Sequence, residues 1–259
     1  MKHLFAFMHD APARWDDELN RYLDFDHVQD RLSCAGWREA ERFALSDVEP
    51  AGWTPALRWT RYLYLHRVDS LDAVTSPARD AFAGGSPWAR AWQRQQRAAG
   101  VTVPSRGIRT RWTRRPSPWL GPISFRMPPP RVLYVILRDI ASDRDAEANA
   151  YLDGELVPEL LASPGFLHCE RYEAGPPLPG TAGSDDSAAP RYLDLFDVAS
   201  PEVLSSESYR LRSSALSDRG RALARSIAVR GAGVYVQRPS PWLIEPWDPR
   251  EPDEKGSTQ

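Results

Sequence analysis

Residues 3–9, 36–44, 60–68 and 106–114 alternate between apolar and polar positions and carry β-forming side chains, which predicts four strands. Between them, 13–33 and roughly 70–98 place apolar residues at helical spacing. The remainder of the chain repeats the scheme, with strands near 131–138, 165–173, 190–198 and 230–237 and helices near 143–162 and 200–226. Each half therefore reads β-α-β-β-α-β, the split βαβ arrangement, whose four-stranded antiparallel sheet carries helices on one face.

The two halves also match residue by residue. Asn20-Arg21-Tyr22-Leu23-Asp24 is answered by Asn149-Ala150-Tyr151-Leu152-Asp153, and Gly36-Trp37 with Glu41-Arg42-Phe43 by Gly165-Phe166 with Glu170-Arg171-Tyr172, both 129 positions on. Arg61-Tyr62-Leu63 returns as Arg191-Tyr192-Leu193, and Arg115-Pro116-Ser117-Pro118-Trp119-Leu120 as Arg238-Pro239-Ser240-Pro241-Trp242-Leu243. Four blocks in one order predict a tandem duplication. A sheet with one bare face must cover it, and two copies can cover each other. The expected fold class is α+β: two tandem ferredoxin-like β-α-β-β-α-β repeats packed sheet to sheet as an intramolecular α+β barrel. The division is a first repeat over 1–114, a Pro-rich linker over 115–130 holding six prolines, a second repeat over 131–245, and a disordered tail over 246–259. Residues 174–190, with the run Gly183-Ser184-Asp185-Asp186-Ser187, read as a mobile loop.

The segment Tyr22-x-x-x-Asp26-His27-Val28-x-x-Arg31-Leu32, followed by Gly36-Trp37 and Glu41-Arg42-Phe43, resembles the helix-to-second-strand signature of the dimeric α+β barrel superfamily, closest to its EthD-like branch. In that branch a Tyr or Trp, a His and a Pro precede a Pro-Gly-aromatic turn. The second half supplies the turn as Ser163-Pro164-Gly165-Phe166 together with Pro158, and has Leu156 where the His would stand; the first half keeps His27 and has Ala35 before its glycine. The resemblance implies the fold and leaves the reaction open, because the superfamily holds cofactor-free monooxygenases, isomerases, cyclases, lyases and haem enzymes.

Sorting each strand by its period of two gives an expectation for the barrel interior. If Leu4, Ala6, Met8, Leu63 and Leu65, with Leu133, Val135, Leu137, Leu193 and Leu195, lie under the helices, the opposite set points inward. That set holds His3, Phe5, Phe7, His9, Tyr62, Tyr64 and His66 in the first half, and Tyr134, Arg138, Tyr192, Asp194 and Phe196 in the second. In the second strands Ala40 and Cys169 suit the helix side, turning Trp37, Glu39, Glu41, Phe43, Phe166, His168, Glu170 and Tyr172 inward. Four of the five histidines fall on this interior, and each polar group buried without a partner costs about 1–3 kcal/mol, so the expectation is a pocket.

The candidate roles are His9 or His66 as general base, Tyr62 or Tyr64 as hydrogen-bond donor, and Arg138 as clamp for an anionic oxygen. Tyr134, His168, Glu39, Trp37 and His27 are the further candidate substrate-binding residues; His27, on the first helix, fits a cap or surface role as well as a catalytic one. Aromatic walls suit an aromatic or polycyclic small molecule. No metal site is expected, although His9, His66 and Glu39 could be brought together. No cofactor is expected either. Gly84-Gly85-Ser86 lacks the lysine and spacing of a phosphate loop, and neither HExxH nor GxSxG occurs.

Composition narrows the partners. The 33 basic and 35 acidic residues nearly cancel, which argues against a nucleic-acid partner or an anionic membrane surface. Their distribution is uneven: residues 1–130 hold 19 basic and 14 acidic side chains, +5, against 14 and 21, −7, over 131–259. Halves so different need not do the same job. There is no apolar run of membrane-spanning length and no signal-peptide pattern, so a cytoplasmic location is expected, as monomer or homodimer. Cys34 and Cys169 have no paired spacing that would suggest a disulfide or zinc site. The leading functional expectation is a cofactor-independent lyase, isomerase or cyclase using acid/base chemistry on an aromatic compound. The alternatives are a cofactor-free monooxygenase of a phenol and a non-catalytic binding or assembly protein. A ligand-sized cavity inside the barrel with His9, His66 and Arg138 converging on it would count against the non-catalytic reading; a filled interior would sink the enzyme proposal.

Overall fold

The computed structural model describes residues 3–10, 13–54, 59–77, 90–91, 94–95, 98, 110–115, 130–175, 190–214 and 216–238. Nearly all of the Pro-rich linker, most of the 174–190 loop and the whole 246–259 tail lie outside them. The strands are β1 (His3–His9), β2 (Trp37–Leu45), β3 (Tyr62–Val68), β4 (Thr110–Arg114), β5 (Val132–Ile140), β6 (Phe166–Ala174), β7 (Tyr192–Val198) and β8 (Ile227–Gln237). They close into one antiparallel barrel in the order β1-β3-β2-β8-β5-β7-β6-β4.

Each half contributes four neighbouring strands in equivalent order, and the halves are stitched at two short seams. One joins β2 to β8 through Phe43↔Gln237, Ala44↔Val236 and Leu45↔Tyr235; the other joins β4 to β6 through Trp112↔Ala174, Thr113↔Glu173 and Arg114↔Tyr172. The two sheets expected to pack on each other thus also share backbone hydrogen bonds, which removes all free edges.

Helices cover the outside. In the first half a continuous helical run over 13–32 comprises a 3-10 turn (Ala13–Trp15), α1 (Asp16–Tyr22), a π turn (Leu23–His27) and α2 (Val28–Leu32). The second half repeats it as Ser142–Arg144, α3 (Asp145–Tyr151), a π turn (Leu152–Leu156) and α4 (Val157–Leu161), then adds α5 (Glu207–Ser214) and α6 (Asp218–Leu223). No helix among the described residues is long and apolar enough to cross a membrane.

Matching networks tie each helical run to its sheet. The Tyr62 hydroxyl donates to Asp16 Oδ1 at 2.7 Å and accepts from Asn20 Nδ2 at 3.1 Å; Tyr192 does the same with Asp145 and Asn149, at 2.7 and 3.1 Å. Arg42 reaches from β2 to Asp24 and Asn20, and Arg171 from β6 to Asp153 and Asn149. Gly36 and Gly165, at the turn before β2 and before β6, have φ of 85° and 88°. A Cβ on Gly165 would stand 2.4 Å from Val203 Cγ2, whereas one on Gly52 (φ 79°) would meet nothing within 4 Å. Gly165→Ala is therefore expected to cost about 1–3 kcal/mol for the left-handed backbone and more for the clash. Gly52→Ala carries the backbone cost alone. Urea melts of the two variants compare them, and equal losses would refute the clash.

The face assignment inverts the expectation for β1, β3, β5 and β7. Leu4, Ala6, Met8, Leu63, Leu65, Leu133, Val135, Leu137, Leu193 and Leu195 form the barrel's interior together with Phe43, Trp112, Tyr172 and Tyr235. Among the described residues that interior is an apolar core, so the polar pocket expected inside the barrel is not formed there and the interior is not an enzyme site. His9, Tyr62, Tyr64, His66, Tyr134, Arg138 and Asp194 lie on the outer face, under the helices, as do His3, Phe5, Phe7, Tyr192 and Phe196. Pairing carries this from strand to strand, since partners across a ladder share a face: Phe7↔Tyr64↔Arg42 and Phe5↔His66↔Ala40. A closed barrel offers its inward residues no helix terminus or solvent to bond, so it takes the blandest set, while the helical layer supplies Asp and Asn partners.

For the second strands the expectation holds from Glu39 and from His168 onward. Trp37 and Phe166, by contrast, pack on the helix side, because register shifts between Trp37 and Glu39 and between Phe166 and His168 reset the alternation. One end of the barrel is closed by charge. Arg67 pairs with Glu39 and Glu170 at 3.3 and 2.8 Å, Arg114 with Glu170 at 3.3 Å, and Arg131 with Glu41 and Asp197 at 2.5 and 2.8 Å. His168 sits in this ring beside Asp197 and Glu170, and Glu39, although next to the ladder partner of His66, points to the opposite face of the sheet from His9 and His66. The His9, His66 and Glu39 grouping is thereby excluded, and no cluster of three or more metal-ligating side chains exists among the described residues.

Candidate functional site

The polar and aromatic residues expected inside the barrel are instead gathered between sheet and helices, in two separate places. In the first half they form a layer of rings. His9 stacks between Phe7 and Tyr62, with ring centroids 4.8 and 5.3 Å away. His66 meets Tyr64 edge-on at 4.3 Å and Trp37 at 4.7 Å. The π turn brings His27 over them, 5.8 Å from Tyr64 and 6.2 Å from His66. A π turn inserts one residue into the helical ladder, and such turns recur where a side chain must be aimed. Here it aims His27; its counterpart in the second half ends on Leu156.

His9 and His66 are fully buried and Tyr64 is nearly so. Neither ring nitrogen of either histidine, nor the Tyr64 hydroxyl, has a hydrogen-bond partner among the described residues. Burial, helped by the charge of Arg42, drives His9 down to a pKa of about 3. His66 falls well below the ordinary imidazole value through burial first, then His27 and Arg31. Burial raises the Tyr64 phenol, keeping it protonated. The layer thus presents two neutral imidazoles and one O–H donor in the positive field of Arg42, 5.8 Å from the Tyr64 ring, and Arg31, 5.6 Å from the Trp37 ring.

Two candidates have structural tasks in this layer: Tyr62 is the strut to α1 described above, and Trp37 donates its indole N–H to the Ala73 carbonyl at 3.1 Å. The recurrence of Glu41-Arg42 as Glu170-Arg171 reads as a duplicated structural role, whereas Arg31 has no such reading in the sequence. The repeat Asn20, Asp24 and Arg42, answered by Asn149, Asp153 and Arg171, was the available signal, because it turns these arginines toward the helices.

In the second half the same positions carry different chemistry. Asp194 stands where Tyr64 does, accepting from Arg138 Nε at 2.6 Å and from Arg171 Nε at 2.9 Å. Burial works to raise the Asp194 carboxyl, but the two guanidiniums bring it below the ordinary range. Beside Arg138 a cavity of about 390 Å³ lies between β5, β8 and the helices. Tyr134 lines it, accepting from the Tyr209 hydroxyl at 3.1 Å, and residues 50–53 of the first half lie along its wall. Tyr209 and Trp53 come from segments whose sequence offered no chemical signal.

No family model and no curated protein sequence matches the chain. Solved structures do. An anthrone oxidase-like protein superposes with a TM-score of 0.55 at 10% identity, over 92% of this chain and 91% of that one. Two mutant forms of the chlorite dismutase from Candidatus Nitrospira defluvii each give 0.53 at 12% identity, over 92% and 91%. The likeness is one of fold. The resemblance read from the sequence takes in haem enzymes, so the second-half cavity can be tested for a haem, which needs an axial His, Cys, Met or Tyr. Its lining holds no His, Cys or Met, and its two tyrosines bond to each other. These residues do not fit a haem.

Proposed function

We propose that the protein is an acid/base enzyme acting on an aromatic small molecule, phenolic or readily enolised, held between the sheet and the helical run of the first half. The observation that carries this reading is the set of five buried ring and hydroxyl polar atoms on His9, His66 and Tyr64 without partners, in a layer whose second-half counterpart places Asp194 between Arg138 and Arg171. Leaving them so costs about 1–3 kcal/mol for each side chain, a cost that a hydrogen-bonding substrate would offset.

In this reading a neutral imidazole, His66 or His9, accepts the proton from the substrate O–H or acidic C–H. The field of Arg42 and Arg31, which opposes a charged histidine on its own, stabilises the substrate anion and makes the transfer favourable as an ion pair. Tyr64 donates to the developing oxyanion, and Trp37 and Phe7 bound the ring. The anion then has two fates. Internal proton return, elimination or ring closure makes the protein an isomerase, lyase or cyclase. Reaction with dioxygen makes it a cofactor-free monooxygenase, the reading favoured by the fold shared with an anthrone oxidase-like protein. The two halves, 1–114 and 131–245, are read as copies of one unit in which only the first kept this layer; a cytoplasmic location also belongs to this reading.

Anthrone in air tests it, since its conversion to anthraquinone consumes one dioxygen and releases one water. The expected result is saturable oxygen uptake that falls at least about 100-fold in His66→Phe, a change to the residue found at position 196. Turnover without oxygen uptake on a panel of enolisable aromatics would place the protein among the isomerases and lyases. No turnover, and no aromatic binding that His66→Phe weakens, in the folded protein would reject the proposal.

A further inference from the structure

The second-half cavity is separate from the histidine layer and has its own chemistry. It opens on the outer face of β5, where Tyr134, Ile136 and Arg138 follow one another at the period of two, and Ala232 of β8 lies beside Ile136. Trp53 and Tyr209 add aromatic surface. The volume, about 390 Å³, falls in the range of small-molecule sites, roughly 300–1,000 Å³.

Arg210, the other arginine of the lining, is exposed and pairs with Glu207 at 3.9 Å, so the buried charge of the cavity comes from Arg138. Arg138 is 7% exposed, and its one described hydrogen bond runs from Nε to Asp194, leaving both terminal amino groups without a described partner. Asp194 does not spend its charge on Arg138 alone: its second oxygen serves Arg171. Arg138 is therefore anchored by one edge and presents the other, two N–H groups in a plane, in a largely apolar chamber. A planar pair of donors matches a carboxylate bidentately. Tyr134, whose oxygen accepts from Tyr209, keeps its own proton to donate.

The geometry points to a second binding site, for an aromatic carboxylate, with the carboxylate on the terminal amino groups of Arg138 and the ring against Trp53, Tyr134 and Ile136. A neutral aromatic of the same shape gains the apolar contacts and lacks the ion pair. The first half has His9 where Arg138 stands and Phe7 where Ile136 stands, so its layer has no equivalent clamp.

The test uses the full chain, isothermal titration and the quenching of tryptophan fluorescence, with 1-naphthoate as probe and 1-naphthaldehyde as its uncharged control. Wild-type protein is expected to bind naphthoate saturably and at least tenfold more tightly than the aldehyde. Arg138→Gln should remove that preference, leaving the two probes equal. Ala232→Phe, which fills the chamber and leaves Arg138 in place, should abolish both, with circular dichroism showing an intact fold. His66→Phe should leave naphthoate binding unchanged, which separates this site from the histidine layer. The inference is overturned if folded wild-type protein shows no saturable naphthoate binding, if Arg138→Gln keeps the preference, or if His66→Phe removes binding while Ala232→Phe does not.

Discussion

Replacing Arg171 with methionine is expected to lower the free energy of unfolding by about 3–5 kcal/mol, the range for removing one partner of a buried ion pair. Arg171 is 0% exposed and holds three groups at once: Asp194 at 2.9 Å, Asn149 at 3.0 Å, and Asp153. Without it, Asp194 keeps only Arg138 and Asp153 loses its main partner, leaving carboxylates in a layer that offers few other donors. Arg42→Met makes the informative comparison. Arg42 occupies the equivalent position and binds Asn20 and Asp24, but the residue facing it across the ladder is Tyr64, not a carboxylate. Its loss takes a partner from one carboxylate rather than two and should cost less. Denaturant melts measure both, and equal costs would show that Asp194 contributes nothing to the difference.

Acid should weaken the protein through its histidines, and the sign follows from their depressed values. In the unfolded chain an imidazole takes up a proton near pH 6.5, whereas folded His9 does so only near 3 and His66 also well below the ordinary value. Between these limits the unfolded state binds more protons, so stability is complete above about pH 6.5 and declines as pH falls toward 3. At pH 5 the loss from His9 alone is about 2 kcal/mol, and His66 adds to it in the same direction. Melting temperature followed from pH 7.5 to 5 should fall, and His66→Phe should recover part of the fall. An unchanged slope in that variant would mean that His66 is not the group excluded from protonation. A ligand that hydrogen-bonds the imidazoles should shift the same curve.

The strands were legible because alternation survives burial: 3–9 is β1 to the residue, and 60–68 contains β3. Which face pointed where was not. Alternation gives two sets of residues and no arrow, and sending Leu4, Leu65 and Leu133 beneath the helices rested on treating helix packing as the more apolar of two burials. The arrow lay in long-range pairing. Arg42 answers Asp24 and Asn20, so Ala40 and Arg42 face the helices, and register then carries Tyr64 and His66 with them. The register shifts that move Trp37 and Phe166 to the other face are one-residue events without a local signature. The candidate residues are distributed between a histidine layer and a cavity beside Arg138, with Glu39 and His168 in the charged ring. Trp53 and Tyr209 entered only through the fold.

The two seams that close the barrel, each three residue pairs long, are too short to hold separate halves together by backbone bonds alone. Each half by itself would present two open edges and one bare apolar face, a template for joining any like sheet. Placing both on one chain makes closure a unimolecular event at an effective concentration in the millimolar range. Dilution therefore leaves closure untouched, while cutting the chain between β4 and β5 would make it depend on protein concentration.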